Sequence, residues 1–195
     1  MGDAILTASR DPALDPFEVS PLQARFLALL AAGAERVLEI GTLGGYSAVQ
    51  MARADAHVTT LEIDARAIGV AKTNFARAGL EDRITLLEGP AQDSLDAMIA
   101  DEVAPFDLIF VDADKAATPV YYERVMKLAR RGTLIVFDNV VREGGIADAS
   151  STCEKVRGLR TAMEMIKADD RVMATALQTV GVKGWDGMVL LRVLR

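Results

Sequence analysis

Short apolar runs alternate with amphipathic stretches along most of this 195-residue chain. The runs are RVLEI, VTTLEI, ITLLEG, FDLIFVD and TLIVFD, and a closing pair lies near MATALQTV and GMVLLRV. They predict six or seven strands. The stretches between them carry apolar residues at helical spacing and predict helices over residues 21–32, 48–54, 65–78, 91–100, 119–129 and 152–168. Alternation of this kind is typical of crossover units, in which a helix joins two parallel strands.

The early apolar runs are continuous, as expected of strands buried on both faces of a parallel sheet. The sequence therefore predicts an α/β fold: a Rossmann-like, doubly wound, mostly parallel seven-stranded sheet with helices on both faces. We expect a single domain over residues 20–195, preceded by an N-terminal arm over residues 1–19. Ligands of such sheets bind beyond the carboxyl ends of the strands, so the polar residues that end each run are the candidates for chemistry.

Composition and charge exclude several classes of protein. The chain has 28 acidic against 22 basic residues and a net charge of −6, which argues against a nucleic-acid partner. Because Cys153 and His57 are the single residues of their types, an internal disulfide and a Cys/His metal cluster are excluded. The longest apolar block, FLALLAAGA, is far short of the ~18 residues of a spanning helix. We expect a cytoplasmic protein with no membrane partner.

A glycine-rich loop, LEIGTLGGYS, joins the first strand to the next helix. Gly41, Gly44 and Gly45 permit a tight turn with the backbone close to a ligand. Leu43 occupies a position that the dinucleotide pattern gives to glycine, and the Gly-Lys-Ser/Thr ending of a P-loop is absent. The alternative is a glycine turn that only lets strand and helix pack.

An acidic residue and a small residue end the next two strands. Glu62 follows Gly41 by 21 residues, close to the ~20-residue offset at which a carboxylate meets a ribose diol. Its alternative role is a solvated carboxylate favoured by the following helix dipole. After the third strand, Ala91 could leave room for an adenine ring, although EGPAQDS also reads as an ordinary helix start.

Oxygen-bearing side chains end the fourth and fifth strands. Asp112 lies in FVDADK and Asp138 and Asn139 lie in FDN, and neighbouring parallel strands would bring them to one edge. Such an oxygen-only set suits Mg²⁺, Mn²⁺ or Ca²⁺, although aspartates at strand ends also cap helices and turns. Lys115 is the candidate general base, because an amine beside a metal ion is favoured towards its neutral form. The alternative interpretation is that Lys115 is an ordinary surface lysine.

In this order, VLEIGTLGGYS, Glu62, EGPA, DLIFVDADK and GTLIVFDNVV resemble the class I S-adenosylmethionine-dependent O-methyltransferases, of the cation-dependent caffeoyl-CoA and catechol type. The resemblance extends over about residues 19–193. The DADK and DN pair is characteristic of the metal-dependent branch. The fold that it implies is the class I methyltransferase fold.

The resemblance implies a role for each of these residues toward the cofactor. The methionine part of S-adenosylmethionine would contact residues of the first loop, namely Glu39, Gly41, Thr42 and Ser47. The ribose hydroxyls would meet Glu62, the adenine would meet Ala91, and Asp112 would serve both cofactor and metal.

The resemblance also implies the chemistry. Asp112, Asp138 and Asn139 would bind a divalent cation, expected to be Mg²⁺, and Lys115 would take the hydroxyl proton. The acceptor would be a small ortho-diphenol whose two oxygens chelate the cation, giving a monomethyl ether. A homodimer is also expected by resemblance.

The chain departs from the family pattern where substrate choice is expected to lie. Val141 and Arg142 stand where members commonly carry an aromatic residue, Thr118 replaces a common tyrosine, and Val19 replaces a threonine. Arg142 is hypothesised to meet an acidic group on the substrate. Two alternatives are a methyltransferase acting on another small molecule, an RNA or a protein, and a cofactor-binding module without turnover.

Overall fold

The computed structural model describes residues 6–7, 14–181 and 184–195. Most of the arm predicted over residues 1–19 lies outside the described residues. The chain divides into two compact units, Met1–Ser94 and Leu95–Arg195. The strands form a seven-stranded sheet in the order β3-β2-β1-β4-β5-β7-β6, so the predicted mostly parallel α/β fold is confirmed.

The first unit contains three parallel strands with helices between them. Its elements are α1 (Pro21–Ala31), β1 (Arg36–Ile40), α2 (Tyr46–Ala52), β2 (His57–Glu62), α3 (Ala65–Ala78) and β3 (Ile84–Glu88), and α4 (Ala91–Ala100) begins at its end. Ser20 caps α1 by accepting a hydrogen bond from the Gln23 amide at 3.2 Å. Asp64 caps α3 in the same way, and Gly79, with a φ of 65°, ends it. These caps explain why both helices begin where the sequence predicts.

The second unit combines a parallel strand pair with an antiparallel hairpin. Its elements are β4 (Phe106–Val111), a 3₁₀ turn (Lys115–Ala117), α5 (Thr118–Lys127), β5 (Ala129–Phe137), a second 3₁₀ segment (Arg142–Ala147), α6 (Glu154–Ala168), β6 (Val172–Gly181) and β7 (Gly184–Val193). β4 and β5 are parallel, whereas β7 is antiparallel to both β5 and β6. The long apolar side chains Phe106, Phe110 and Phe137 are fully buried in these strands.

Four sequence predictions need correction. The helix predicted over 119–129 ends at Lys127, because Ala129 pairs with Phe106 and begins β5. The helices predicted over 48–54 and 152–168 span Tyr46–Ala52 and Glu154–Ala168. β3 is not buried on both faces, because it lies at the sheet edge and has one neighbour.

Across the described part of the chain, no helix combines the length and the apolar character that a membrane crossing needs.

Candidate active site

The glycine-rich loop after β1 is held in a conformation that its glycines permit. Gly41 has a φ of 98°, and its amide donates to the Leu61 carbonyl at 3.0 Å. Gly45 has a φ of 82°, and a Cβ there would lie 2.5 Å from the Phe75 ring. Both glycines are therefore required by backbone geometry, and the second also by packing. Leu43 adopts a φ of 48°, an uncommon conformation for a residue with a side chain.

A buried chain of hydrogen bonds lies beneath this loop. The parallel register places Glu39 beside Thr60, and the Thr60 hydroxyl donates to Glu39 Oε2 at 2.6 Å. The Thr42 and Thr60 hydroxyls lie 2.6 Å apart. Glu39 is wholly inaccessible and Thr42 nearly so. This arrangement fixes the loop on β2, and Thr60 is a residue that the strand-end reasoning missed because it lies within a strand.

The Glu62 carboxylate, at the end of β2, also binds the glycine-rich loop. Its Oε2 accepts hydrogen bonds from the amides of Thr42 at 3.2 Å and Leu43 at 2.8 Å. Its Oε1 accepts from the amides of Ile63 at 2.8 Å and Asp64 at 2.9 Å. Four backbone donors therefore orient this carboxylate at the carboxyl end of β2, where the sequence predicts a ribose contact.

A cavity of about 200 Å³ opens beside Glu62 in the first unit. Leu43 and Glu62 line it together with Asp15 and Phe17, which precede α1. The arm residues are therefore part of this cavity, although composition alone gave them no role. A larger cavity of about 290 Å³ runs along α3, and no predicted site residue lines it.

The remaining cofactor residues of the first unit lie at helix starts. Ser47 is in the first turn of α2 and is buried. Ala91 is the first residue of α4 and is partly exposed. Just before α4, the Gly89 amide donates to the Glu62 carbonyl at 2.8 Å, which ties the end of β3 to the end of β2.

In the second unit, Asp112 and Lys115 form an ion pair at the end of β4. Lys115 Nζ donates to Asp112 Oδ1 at 2.7 Å, and the two side chains are 10% and 20% exposed. Lys115 begins the 3₁₀ turn, whose backbone is held by Asp114 and by the Thr118 hydroxyl. A lysine this buried is not the surface lysine of the alternative interpretation.

The structure brings the end of β5 next to the end of β4. The Asp138 amide donates to the Val111 carbonyl at 3.0 Å, so Asp138 lies beside the residue that precedes Asp112. Asp138 is 3% exposed, and Asn139 has a φ of 52°. Within residues 6–7, 14–181 and 184–195, no group of three or more His, Cys, Asp and Glu could hold a metal ion. The predicted metal ligands are two carboxylates, Asp112 and Asp138, and one amide, Asn139. They therefore do not form a group of three such residues.

The sequence profile of a family described as O-methyltransferase matches residues 4–194. The chain belongs to the O-methyltransferase family. The resemblance identified from the sequence is therefore confirmed, and with it the class of enzyme, a class I S-adenosylmethionine-dependent O-methyltransferase.

Relatives of this O-methyltransferase match over nearly its whole length. A catechol O-methyltransferase of Niastella koreensis is 43% identical over 196 residues, which cover 96% of this chain and 89% of that protein. A catechol O-methyltransferase of Mycobacterium tuberculosis is 45% identical over 192 residues, which cover 96% of this chain and 86% of that protein. The crystal structure of an O-methyltransferase from Bacillus cereus in complex with SAH matches with a TM-score of 0.94 at 44% identity. The match covers 98% of this chain and 90% of that protein's chain.

The segment after Asn139 in this O-methyltransferase is anchored by a residue that the sequence analysis did not single out. Asp186 Oδ1 accepts hydrogen bonds from the amides of Val141 at 2.8 Å, Arg142 at 2.9 Å and Gly187 at 2.9 Å. Arg142 has a φ of 51°, so the segment leaves β5 in an uncommon backbone conformation. Asp186 lies near the start of β7, in the segment WDGMVLL, so a search for polar residues at strand ends does not find it.

Proposed function

We propose that this O-methyltransferase transfers the methyl group of S-adenosylmethionine to one hydroxyl of a small ortho-diphenol, with a divalent cation and Lys115 as general base. The observation that carries the proposal is the acidic edge of the second unit. There the Asp138 amide bonds to Val111, and the neighbouring Asp112 holds Lys115 Nζ at 2.7 Å. The names of the two catechol O-methyltransferase relatives support the same acceptor class.

The donor set fits a hard divalent cation. Asp112, Asp138 and Asn139 offer carboxylate and amide oxygens, which Mg²⁺, Mn²⁺ and Ca²⁺ prefer. Backbone bonding between Asp138 and Val111 brings the ends of two adjacent strands together. We propose that these three residues hold the cation, with Mg²⁺ the first candidate.

The bound cofactor and cation would supply part of the chemistry, and the side chain of Lys115 would supply the proton transfer. When bound, S-adenosylmethionine supplies a methyl group on a sulfonium centre, and a divalent cation lowers the pKa of an acceptor hydroxyl. Lys115 would receive the hydroxyl proton at Nζ as a neutral amine, the form that a cation bound beside it would favour over the ammonium of the ion pair. Burial of this amine restricts its rotamers, and the Asp112 carboxylate orients it. A fixed base of this kind typically contributes ~10²–10⁴ in rate.

The first unit supplies the residues proposed to hold the cofactor. Glu62 would accept hydrogen bonds from the ribose hydroxyls in exchange for some of the four backbone amide bonds that occupy its acceptor positions. Ala91 would face the adenine, and the contact of Asp112 with the cofactor stays a prediction of the sequence. The methionine part would be bound by the loop residues, namely Glu39, Gly41, Thr42 and Ser47. Because the Glu39 and Thr42 side chains are buried, we expect them to act mainly by fixing the loop.

The acceptor is proposed to be a small molecule rather than a nucleic acid, because the net charge is −6. The homodimer, the cytoplasmic location and the Arg142 contact with an acidic substrate group stay predictions of the sequence.

A panel of diphenols tests the proposed function. The protein is incubated with methyl-labelled S-adenosylmethionine, Mg²⁺ and the ortho, meta or para isomer of dihydroxybenzene, and products are separated by mass. We expect a labelled monomethyl ether from the ortho isomer, because only vicinal hydroxyls can both bind one cation. Equal labelling of all three isomers, or none of any, would contradict the proposal.

A further inference from the structure

We propose that Trp185 is a specificity-determining residue, whose indole forms an apolar face against which the ring of an aromatic acceptor packs. The proposal rests on the proposed function and deepens it. It depends on three observations of the second unit: the position of Trp185 along β7, the anchoring of its neighbour Asp186, and the contact of the indole with Gly144.

The strand register places Trp185 at the same edge as the proposed metal ligands. Phe137, the last residue of β5, pairs with Val189 of the antiparallel β7. The Val140 amide then donates to the Gly187 carbonyl at 3.0 Å, so Asp138 and Asn139 lie between two fixed points along β7. Before Gly187, β7 stays paired with β6, and Trp185 lies opposite Val180. Two residues of strand carry Trp185 ~7 Å farther, a distance comparable to an aromatic ring.

Asp186 fixes the backbone on which Trp185 stands. Its carboxylate accepts the three amide hydrogen bonds from Val141, Arg142 and Gly187 described above. Hydrogen bonds to a charged acceptor are stronger than neutral ones. The start of β7 and the segment after Asn139 therefore form one connected structure, and Trp185 cannot shift along the edge without breaking it.

The indole rests on a glycine of the segment that follows. A Cβ at Gly144 would lie 3.1 Å from Trp185 Cη2 and 3.7 Å from Cζ2, and Gly144 has a φ of 90°. The backbone of Gly144 thus supports one edge of the six-membered ring. The side chain keeps 39% of its surface exposed. An aromatic side chain that is held on one side and open on the other can stack on a flat ligand with little loss of conformational freedom.

No other aromatic group is available from the segment that carries the metal ligands. Residues 138–147 read DNVVREGGIA and contain neither phenylalanine, tyrosine nor tryptophan. Trp185 is the aromatic residue that the register brings to this segment. The stacking of two aromatic rings is worth ~2–12-fold in binding beyond the area that is buried.

Trp185 is the single tryptophan of the chain, so its fluorescence reports this position alone. The wild-type enzyme, with SAH and Mg²⁺ present, is titrated with catechol while emission is recorded under selective tryptophan excitation. We expect the emission to change and to saturate near the KM for catechol. Unchanged emission across that range in an enzyme that methylates catechol would overturn the proposal.

Variants separate a binding role from a structural one. Trp185→Ala is expected to raise the KM for catechol by about ten-fold while kcat changes by less than about three-fold, and Trp185→Phe is expected to restore most of the affinity. Met173→Ala, which removes an exposed apolar side chain from the opposite part of the hairpin, is the matched control and is expected to change neither constant.

A second measurement guards against misfolding of the alanine variant. The Tm of Trp185→Ala and its Kd for SAH are expected to stay close to the wild-type values. Catechol turnover by the wild type with an unchanged KM in Trp185→Ala overturns only the role of Trp185. A wild type that methylates no diphenol overturns the proposed function and this proposal with it.

Discussion

Replacing Gly158 with alanine tests whether α6 positions the proposed base. Gly158 lies within α6, where the helix packs on the 3₁₀ turn that begins at Lys115. A Cβ at this position would lie 2.5 Å from the Lys115 carbonyl oxygen, 2.6 Å from the Ala116 carbonyl oxygen and 2.7 Å from Ala116 Cα. These are backbone atoms, so no side-chain rotation can relieve the contact, and the turn must move.

The size of the effect follows from these distances. The contact is about 1 Å shorter than the ordinary 3.5–4.0 Å separation, so the Lys115 turn is displaced by about that amount. Overpacking costs ~1–3 kcal/mol, and the better helix propensity of alanine offsets ~1 kcal/mol of it. The free energy of unfolding is expected to fall by ~0–2 kcal/mol, a loss of up to about 8 °C in Tm. A displacement of ~1 Å at a catalytic group can lower kcat by about 10²-fold.

Steady-state kinetics with catechol, SAH titration calorimetry and thermal unfolding measure these effects. We expect Gly158→Ala to lose kcat while the Kd for SAH stays unchanged. Gly69→Ala is the matched control, because Gly69 lies inside α3 and a Cβ there meets nothing within 4 Å. It is expected to be stabilised by ~0.5–1 kcal/mol. If Gly158→Ala keeps the wild-type kcat and gains stability as Gly69→Ala does, the positioning argument is wrong.

Three further predictions concern single carboxylates and the base. Glu62→Gln should raise the Kd for SAH about 10–100-fold, because it removes the charge that binds four backbone amides; calorimetry measures this. Lys115→Ala should lower kcat ~10²–10⁴-fold with an unchanged Kd for SAH, and wild-type turnover would reject the base assignment. Hydrogen bonds from Arg171, together with one from Tyr122, hold the pKa of Asp169 below its ordinary value. This carboxylate therefore stabilises the fold above its unfolded pKa, and the contribution is lost as pH falls towards the folded one. The Tm difference between wild type and Asp169→Asn should shrink from about pH 7 to about pH 3, and a constant difference would contradict the coupling.

Local sequence signals predict those elements whose ends are set by local contacts. α3 and α4 span the predicted residues, and for α3 the Asp64 cap and the Gly79 stop are visible in the sequence. The end of α5 is different, because the helical spacing continues to residue 129. Pairing of Ala129 with Phe106 ends the helix earlier, and such a tertiary contact has no local signal.

The residues of the candidate site also divide into those that the sequence predicts and those that only the folded structure reveals. Asp112, Asp138 and Glu62 follow apolar runs, so the topology of a parallel sheet was enough to predict their places at strand ends. Asp186 and Gly158 could not be found by that reasoning. Their roles depend on the antiparallel return of β7 and on the close packing of α6, which only the folded backbone brings about.

Metal dependence of methyl transfer tests the central claim most directly. The rate of label transfer from S-adenosylmethionine to catechol is measured in the enzyme as prepared, after treatment with EDTA, and after Mg²⁺ is added back in excess. The account predicts loss of transfer with EDTA and recovery with Mg²⁺, while SAH binding persists throughout. A full rate in the presence of excess EDTA would contradict it.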